Sequence, residues 1–222
     1  MTERSETFVL WQLLDSAFPT GGFAHSSGLE ALLHCRQIGD LAALRQTCCQ
    51  SVEQVAAQHL PFLYAAFQSP PQATQLDGRF SILSMNHAAR RASVAQGRAL
   101  MRAVQDIFND DQAHSGLKLL ANSDCHLPVV FGAVAAALNL SADCIGNVYL
   151  FCHIRGLTAA AVRLGVLGPT LGQRLQRELG TQIGVLALNF RRISVDNAFQ
   201  TQPLLEIFQG VHDRLPWRLF VS

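Results

Sequence analysis

Between residues 20 and 30 the chain places hydroxyls on Thr20, Ser26 and Ser27, an imidazole on His25 and a carboxylate on Glu30. Hydroxyl, imidazole and carboxylate form the set that nucleophilic catalysis uses. Here no GxSxG turn surrounds the serines, and sequence neighbours seldom assemble a triad. A second group capable of chemistry comprises eight histidines and six cysteines. No HExxH, HxxxH or CxxC spacing occurs among them. Asp124-Cys125-His126 is the densest cluster, Cys144 and Cys152 share a helix face, and the neighbours Cys48 and Cys49 point to different sides of one. Soft ligands of these kinds could hold a metal transiently, but no spacing selects a site, so no metal site is assigned. GxxxxGK[ST] and GxGxxG are both absent. The expectation is a protein that is not an enzyme and carries no cofactor of its own.

The stretch bearing the polar groups is an elbow. An apolar helical pattern over residues 6–17 meets Pro19, which lacks an N–H and restricts the residue before it. Gly21 and Gly22 then permit backbone angles closed to other residues, and Phe18 and Phe23 flank the break. A second helix is expected over 24–38, with Gly39 ending it and Asp40 capping a third that starts at Leu41 and that Pro61 kinks or divides. The elbow alone leaves two readings open: a packing corner, or a recognition loop on a rigid scaffold.

Residues 68–78, with Ser69-Pro70-Pro71, read as the clearest loop, and a long helical region follows with a break near 84–86. From Arg79 to Arg102 there are five arginines and no acid, with Arg91, Arg98 and Arg102 on one helical face. Asn109-Asp110-Asp111 marks a turn and 117–122 a short helix. Residues 127–138 are apolar nearly all round and read as a central buried helix with Pro128 in its first turn. Ser141 caps a helix to about Leu164, another spans about 170–188, and a tail rich in Trp217, Leu219 and Phe220 closes the chain. With no strand alternation and no repeat, the fold expected is all-α, a single-domain bundle of roughly eight to ten helices over 1–222, with 1–7 flexible and 194–222 a tail that docks on this chain or on a partner.

The chain has 222 residues, of which 49% are apolar and 15% charged, against about 25% charged in an ordinary domain. Either another chain covers part of the surface, or neutral polar residues coat an alanine-rich bundle. A net charge of +1 gives no basic excess for nucleic acid. All but Lys118 of the 17 basic residues are arginine, which favours planar contacts with carboxylates. No signal-peptide pattern and no confident membrane span are visible, so a soluble cytoplasmic protein with reduced cysteines is expected.

Four segments together resemble the UreF family of urease accessory proteins: Phe18-Pro19-Thr20-Gly21-Gly22-Phe23 with Ser27-Gly28-Leu29-Glu30; His126-Leu127-Pro128-Val129-Val130-Phe131-Gly132; Ala160-Ala161-Val162-Arg163-Leu164 followed by Gly172-Gln173; and Pro203-Leu204-Leu205-Glu206-Ile207 with the closing Arg218-Leu219-Phe220-Val221-Ser222. Gly97-Arg98 also matches a family feature, whereas Gly210 to Asp213 and Pro216-Trp217 depart from it. The resemblance implies a UreF-like helical fold and a non-catalytic, dimeric scaffold for nickel insertion into apo-urease. Such a scaffold joins a second accessory protein, UreD (also called UreH), and recruits the GTPase UreG. By the same resemblance Pro19, Gly21, Gly22, His25, Ser26, Glu30, Arg163 and Gln173 would face the GTPase, and His212, Arg218 and Phe220 would face UreD/UreH. The alternative is a nickel metallochaperone that binds the ion itself through Cys and His.

Overall fold

The computed structural model describes residues 3–108 and 117–221, with side chains from Glu6 onward. Nine helices and no strand occur among them. These are α1 (Glu3–Leu14), α2 (Leu29–His34), α3 (Leu41–Gln68), α4 (Ala73–Leu83), α5 (His87–Ile107), α6 (Leu127–Ala137), α7 (Ala142–Arg163), α8 (Pro169–Phe190) and α9 (Pro203–Val211). The expected turn at 109–111 lies outside the described residues, and helical structure in 117–122 is confined to residues 117 and 118.

Helix α6 is the axis. Its residues Pro128 to Ala135 are all buried, between α3 on one side and α5 on the other. No polar side chain interrupts it, so it has no face to give to water. Helix α3 supplies the largest share of the core through Leu44, Val52, Leu60, Phe62 and Leu63, each worth about 1.5–3 kcal/mol when fully buried. Helices α7 and α8 pack on each other and on α3. Helix α7 has the length and apolarity of a membrane span, but over half of it is buried inside this bundle.

Several local signals act as the residues predict. Asp40 accepts from the Ala43 N–H at 2.8 Å and Ser141 from the Asp143 N–H at 3.2 Å, each capping its helix. Asn86 does the same for α5, in the break expected there. Other expectations are corrected. Pro61 sits buried inside an unbroken α3, and the loop at 68–78 shrinks to a 3-10 turn because α4 begins at Ala73. The second helix starts at Leu29 and ends at His34, so neither Ala24 nor Gly39 bounds it. Helix α1 does not bury its whole apolar stripe: Leu13 is buried while Phe8 and Trp11 are 62% and 67% exposed.

Helix packing relies on two glycines. A Cβ on Gly132 would stand 2.1 Å from the Leu63 carbonyl oxygen, and one on Gly97 would stand 1.9 Å from the Cys125 carbonyl oxygen. Both obstacles are backbone, so neither can rotate away. Gly132→Ala should therefore force α3 and α6 apart and destabilise the fold by about 1–3 kcal/mol or more. Chemical denaturation checks this; a variant as stable as the parent would show that the two helices are not held at this distance.

Candidate functional site

The elbow holds its shape through left-handed backbone. Gly21 (φ 70°), Ser27 (φ 53°) and Gly28 (φ 86°) turn the chain between α1 and α2. At Gly28 the requirement is double, since a Cβ would also meet Gln209 of α9 at 3.2 Å. Two arginines on one face of α7 secure the elbow from below. Arg155 donates to the Leu14 carbonyl, an unpaired helix-end acceptor, and Arg163 donates to the Phe23 carbonyl.

The first residues of α2 then meet the end of the chain. Glu30 is 7% exposed. Its Oε2 accepts from His212 Nε2 at 3.0 Å and from the Phe220 N–H at 3.3 Å, and its Oε1 accepts from the Leu219 N–H at 2.6 Å. A carboxylate only accepts, so His212 carries its proton on Nε2; its Nδ1 lies 4.0 Å from Asp213 Oδ1. The Val221 N–H donates to the Ala24 carbonyl at 2.8 Å. Phe220 is buried, and the Arg163 guanidinium lies 4.3 Å over its ring, a cation–π contact worth about 0.5–2 kcal/mol. Asp213 gathers Arg91 at 2.7 Å, His87 at 2.9 Å and Arg218 at 3.7 Å. The Arg91 hydrogen bond, with His87 beside it, holds the Asp213 carboxyl below the usual carboxylate range.

Elbow, Arg163 and tail thus form one joint. Glu30, Ser26, His212 and Phe220 lie inside it, whereas Pro19, Arg163 and Arg218 are exposed and His25 is half-buried. Burial, with His212 nearby, lowers the His25 pKa. Gln173 is exposed on α8 and has no hydrogen bond to the joint among the described residues. Arg155, Asp213 and Arg91 also build the joint, yet nothing local marks them as its parts. Arg155 and Arg163 lie eight residues apart on α7, a spacing that puts both on one face, and Arg91 belongs to the arginine face of α5, but neither pattern points to the tail.

Next to the joint, α3, α5, α7, α9 and the elbow enclose a cavity of about 260 Å³. Ser51 Oγ lies 2.9 Å from His153 Nε2, and His59 Nδ1 lies 2.7 Å from the Tyr149 hydroxyl, all on its wall. Burial pushes the His59 pKa down to about 3, with His153 and His126 nearby, and that of His153 down to about 4. Both rings are therefore neutral at ordinary pH. Helix α9 closes one side, where Gln54 donates to Glu206 at 2.6 Å and Asn86 donates to the Glu206 carbonyl.

The densest cluster of possible metal ligands is taken up by the backbone. The buried Asp77 carboxylate accepts from the Cys125 and His126 N–H groups at 2.9 and 2.6 Å. Asp124 pairs with Arg90 at 2.8 Å, and His126 Nδ1 lies 3.2 Å from Ser93 Oγ. Among the described residues no three His, Cys, Asp or Glu side chains converge closely enough to hold an ion.

Residues 38–180 match the family model of UreF. The urease accessory protein F of rice (Oryza sativa subsp. indica) is 34% identical over 218 residues, covering 96% of this chain and 84% of the rice protein. That of Arabidopsis thaliana is 33% identical, over 96% of this chain and 91% of its own. The urease accessory protein UreF of Paenarthrobacter aurescens is 30% identical over 96% of both chains. The chain belongs to the UreF family. The UreF model itself stops short of the elbow and tail, but the alignments to these relatives reach beyond it at both ends.

Two outcomes follow from the geometry. Glu30→Ala leaves the His212, Leu219 and Phe220 donors without an acceptor and should cost about 2–4 kcal/mol locally. Amide hydrogen exchange at Leu219 and Phe220 should rise more than tenfold, and unchanged exchange would mean the tail is held without the carboxylate. The cavity histidines set a pH dependence. Unfolded, each titrates near 6.5; folded, each stays neutral to about 3 or 4. Between those values the unfolded chain binds more protons. Stability should be full above about pH 6.5 and fall as pH drops through that value, by about 1.4 kcal/mol per unit for each histidine. Urea titrations at several pH values should show His153→Gln losing one histidine's share of that slope, about 1.4 kcal/mol per pH unit.

Proposed function

We propose that this chain acts in urease maturation as a non-catalytic scaffold, presenting the elbow–tail joint to its partners while nickel, as cargo, is inserted into apo-urease. The supporting observation is the joint itself. Three of the segments most like the family converge on it, although they lie near opposite ends of the chain and in α7. Around it stand side chains with no internal use for their apolar surface: Trp217 is 82% exposed, Leu219 53% and Val221 66%. Exposed aromatic and aliphatic groups beside arginines are the composition of a contact surface.

On this reading Pro19, His25, Arg163 and Gln173 face the GTPase UreG, with Gly21, Gly22, Ser26 and Glu30 shaping the loop that carries them. Arg218 and Trp217 face UreD/UreH, with His212 and Phe220 anchoring the tail from within. Nucleotide chemistry belongs to the GTPase, consistent with a chain that has no phosphate-binding loop in its sequence. The exposed Phe8 and Trp11 of α1, and Val185 and Leu188 of α8, offer further apolar surface for a homodimer or for the second accessory protein.

Light-scattering chromatography should show a dimer that enlarges on adding UreD/UreH and again on adding UreG with GTP. Trp217→Ala and Arg218→Ala should weaken the first step about tenfold or more at unchanged thermal stability. Arg163→Ala should impair the second. A chain that stays the same size with every partner would overturn the scaffold reading.

A further inference from the structure

Helix α5 carries no acidic residue before Asp106, and its outer face presents Arg90, Arg91, Ala95, Arg98 and Arg102 to solvent. Beside it runs an open groove of about 520 Å³, lined by Arg90, Arg91, Arg98, His25 and Asp124, with Ala92, Val94, Ala95 and Val221 between them. Two carboxylates answer these charges: Asp124 binds Arg90 and Asp213 binds Arg91. Arg98 reaches the Cys125 thiol, a neutral neighbour. Neither Arg98 nor Arg102 forms an ion pair among the described residues. Among the described residues, three groove guanidiniums thus meet two carboxylates, and Arg102 adds another positive charge one turn along the helix.

We infer that this groove docks an acidic segment of another protein, one in which carboxylates flank at least one apolar side chain. Arg98 and Arg102, at i and i+4, stand about 6 Å apart, a spacing that two carboxylates on one strand or one helix face can meet. Arginine favours such planar, paired contacts. The apolar strip argues for a peptide over a free anion, because phosphate would leave Val94 and Val221 uncovered. A net charge of only +1 gives no general attraction for nucleic acid. Charge and groove shape carry the inference, so it stands or falls apart from the urease reading.

The test is fluorescence anisotropy of the full chain with a fluorescein-labelled peptide of repeating Glu-Glu-Leu. Saturable binding is expected, weakened by salt. Arg98→Glu combined with Arg102→Glu should weaken it about tenfold or more. Arg174→Glu combined with Arg177→Glu, exposed on α8, should change it less than about twofold. Replacing the peptide leucines with serine should weaken binding about threefold or more. Melting curves of both double variants should match the parent. Several results would overturn the inference: absence of saturable binding, equal losses from both reversals, indifference to the leucines, or displacement by inorganic phosphate at lower concentration than by unlabelled peptide.

Discussion

One buried carboxylate governs this structure. Taking Glu30 out of water costs several kcal/mol, a penalty offset only if its lone pairs are filled. The protein fills them from a distant part of the chain: the His212 ring and the backbone N–H groups of Leu219 and Phe220. The elbow therefore depends on the tail. Without residues 212–220, Glu30 would be a desolvated charge with nothing to accept from, and α2 would have to turn it outward. Without the left-handed Ser27 and Gly28, α2 would not start where its first turn can meet the tail. The Arg163–Phe220 contact and the Val221–Ala24 hydrogen bond then fix the approach that the carboxylate demands.

The same closure explains a cavity inside a bundle whose interior is otherwise close-packed. Helix α9 and the elbow are held by polar contacts at their edges, Glu30 at one end and Gln54–Glu206 at the other, beside the apolar contacts of Phe18, Leu205 and Phe208. Space remains behind them, walled by paired polar groups: Ser51 with His153, and His59 with Tyr149. Keeping those rings neutral is the electrostatic condition for the gap. A proton on either would place a charge in surroundings with no carboxylate hydrogen-bonded to it.

Much of the helical framework was legible because its signals are local. Ser141 and the apolar run behind it define α7 almost to the residue, and the all-round apolarity after Pro128 identifies the axis. Local rules failed where one signal has two meanings. Pro70 and Pro71 read as loop, but proline also suits the first turn of a helix, and here it opens the 3-10 turn that leads into α4. A proline at 61 can kink a helix or divide it, and here α3 runs on undivided with Pro61 buried in the core. Periodicity placed Phe8 and Trp11 on a face without telling whether anything in this chain covers that face. The joint was legible only in part. Glu30, Arg163, His212 and Phe220 could each be singled out from their motifs, but 182 residues separate Glu30 from His212, and no local pattern encodes their meeting.

That meeting changes what the surface residues can do. If elbow and tail were separate, a partner on one would be indifferent to a partner on the other. Here both stand on the same buried group, so any partner that prefers the closed tail also stabilises the elbow in its present shape. By reciprocity, a partner that prefers this elbow tightens the tail by the same free energy. The coupling can be no larger than each partner's preference between closed and open joint. For two partners that both prefer the closed joint it is limited further by how much of the free protein is open, because only that fraction is left to close. In this fold a single carboxylate supplies that connection between elbow and tail.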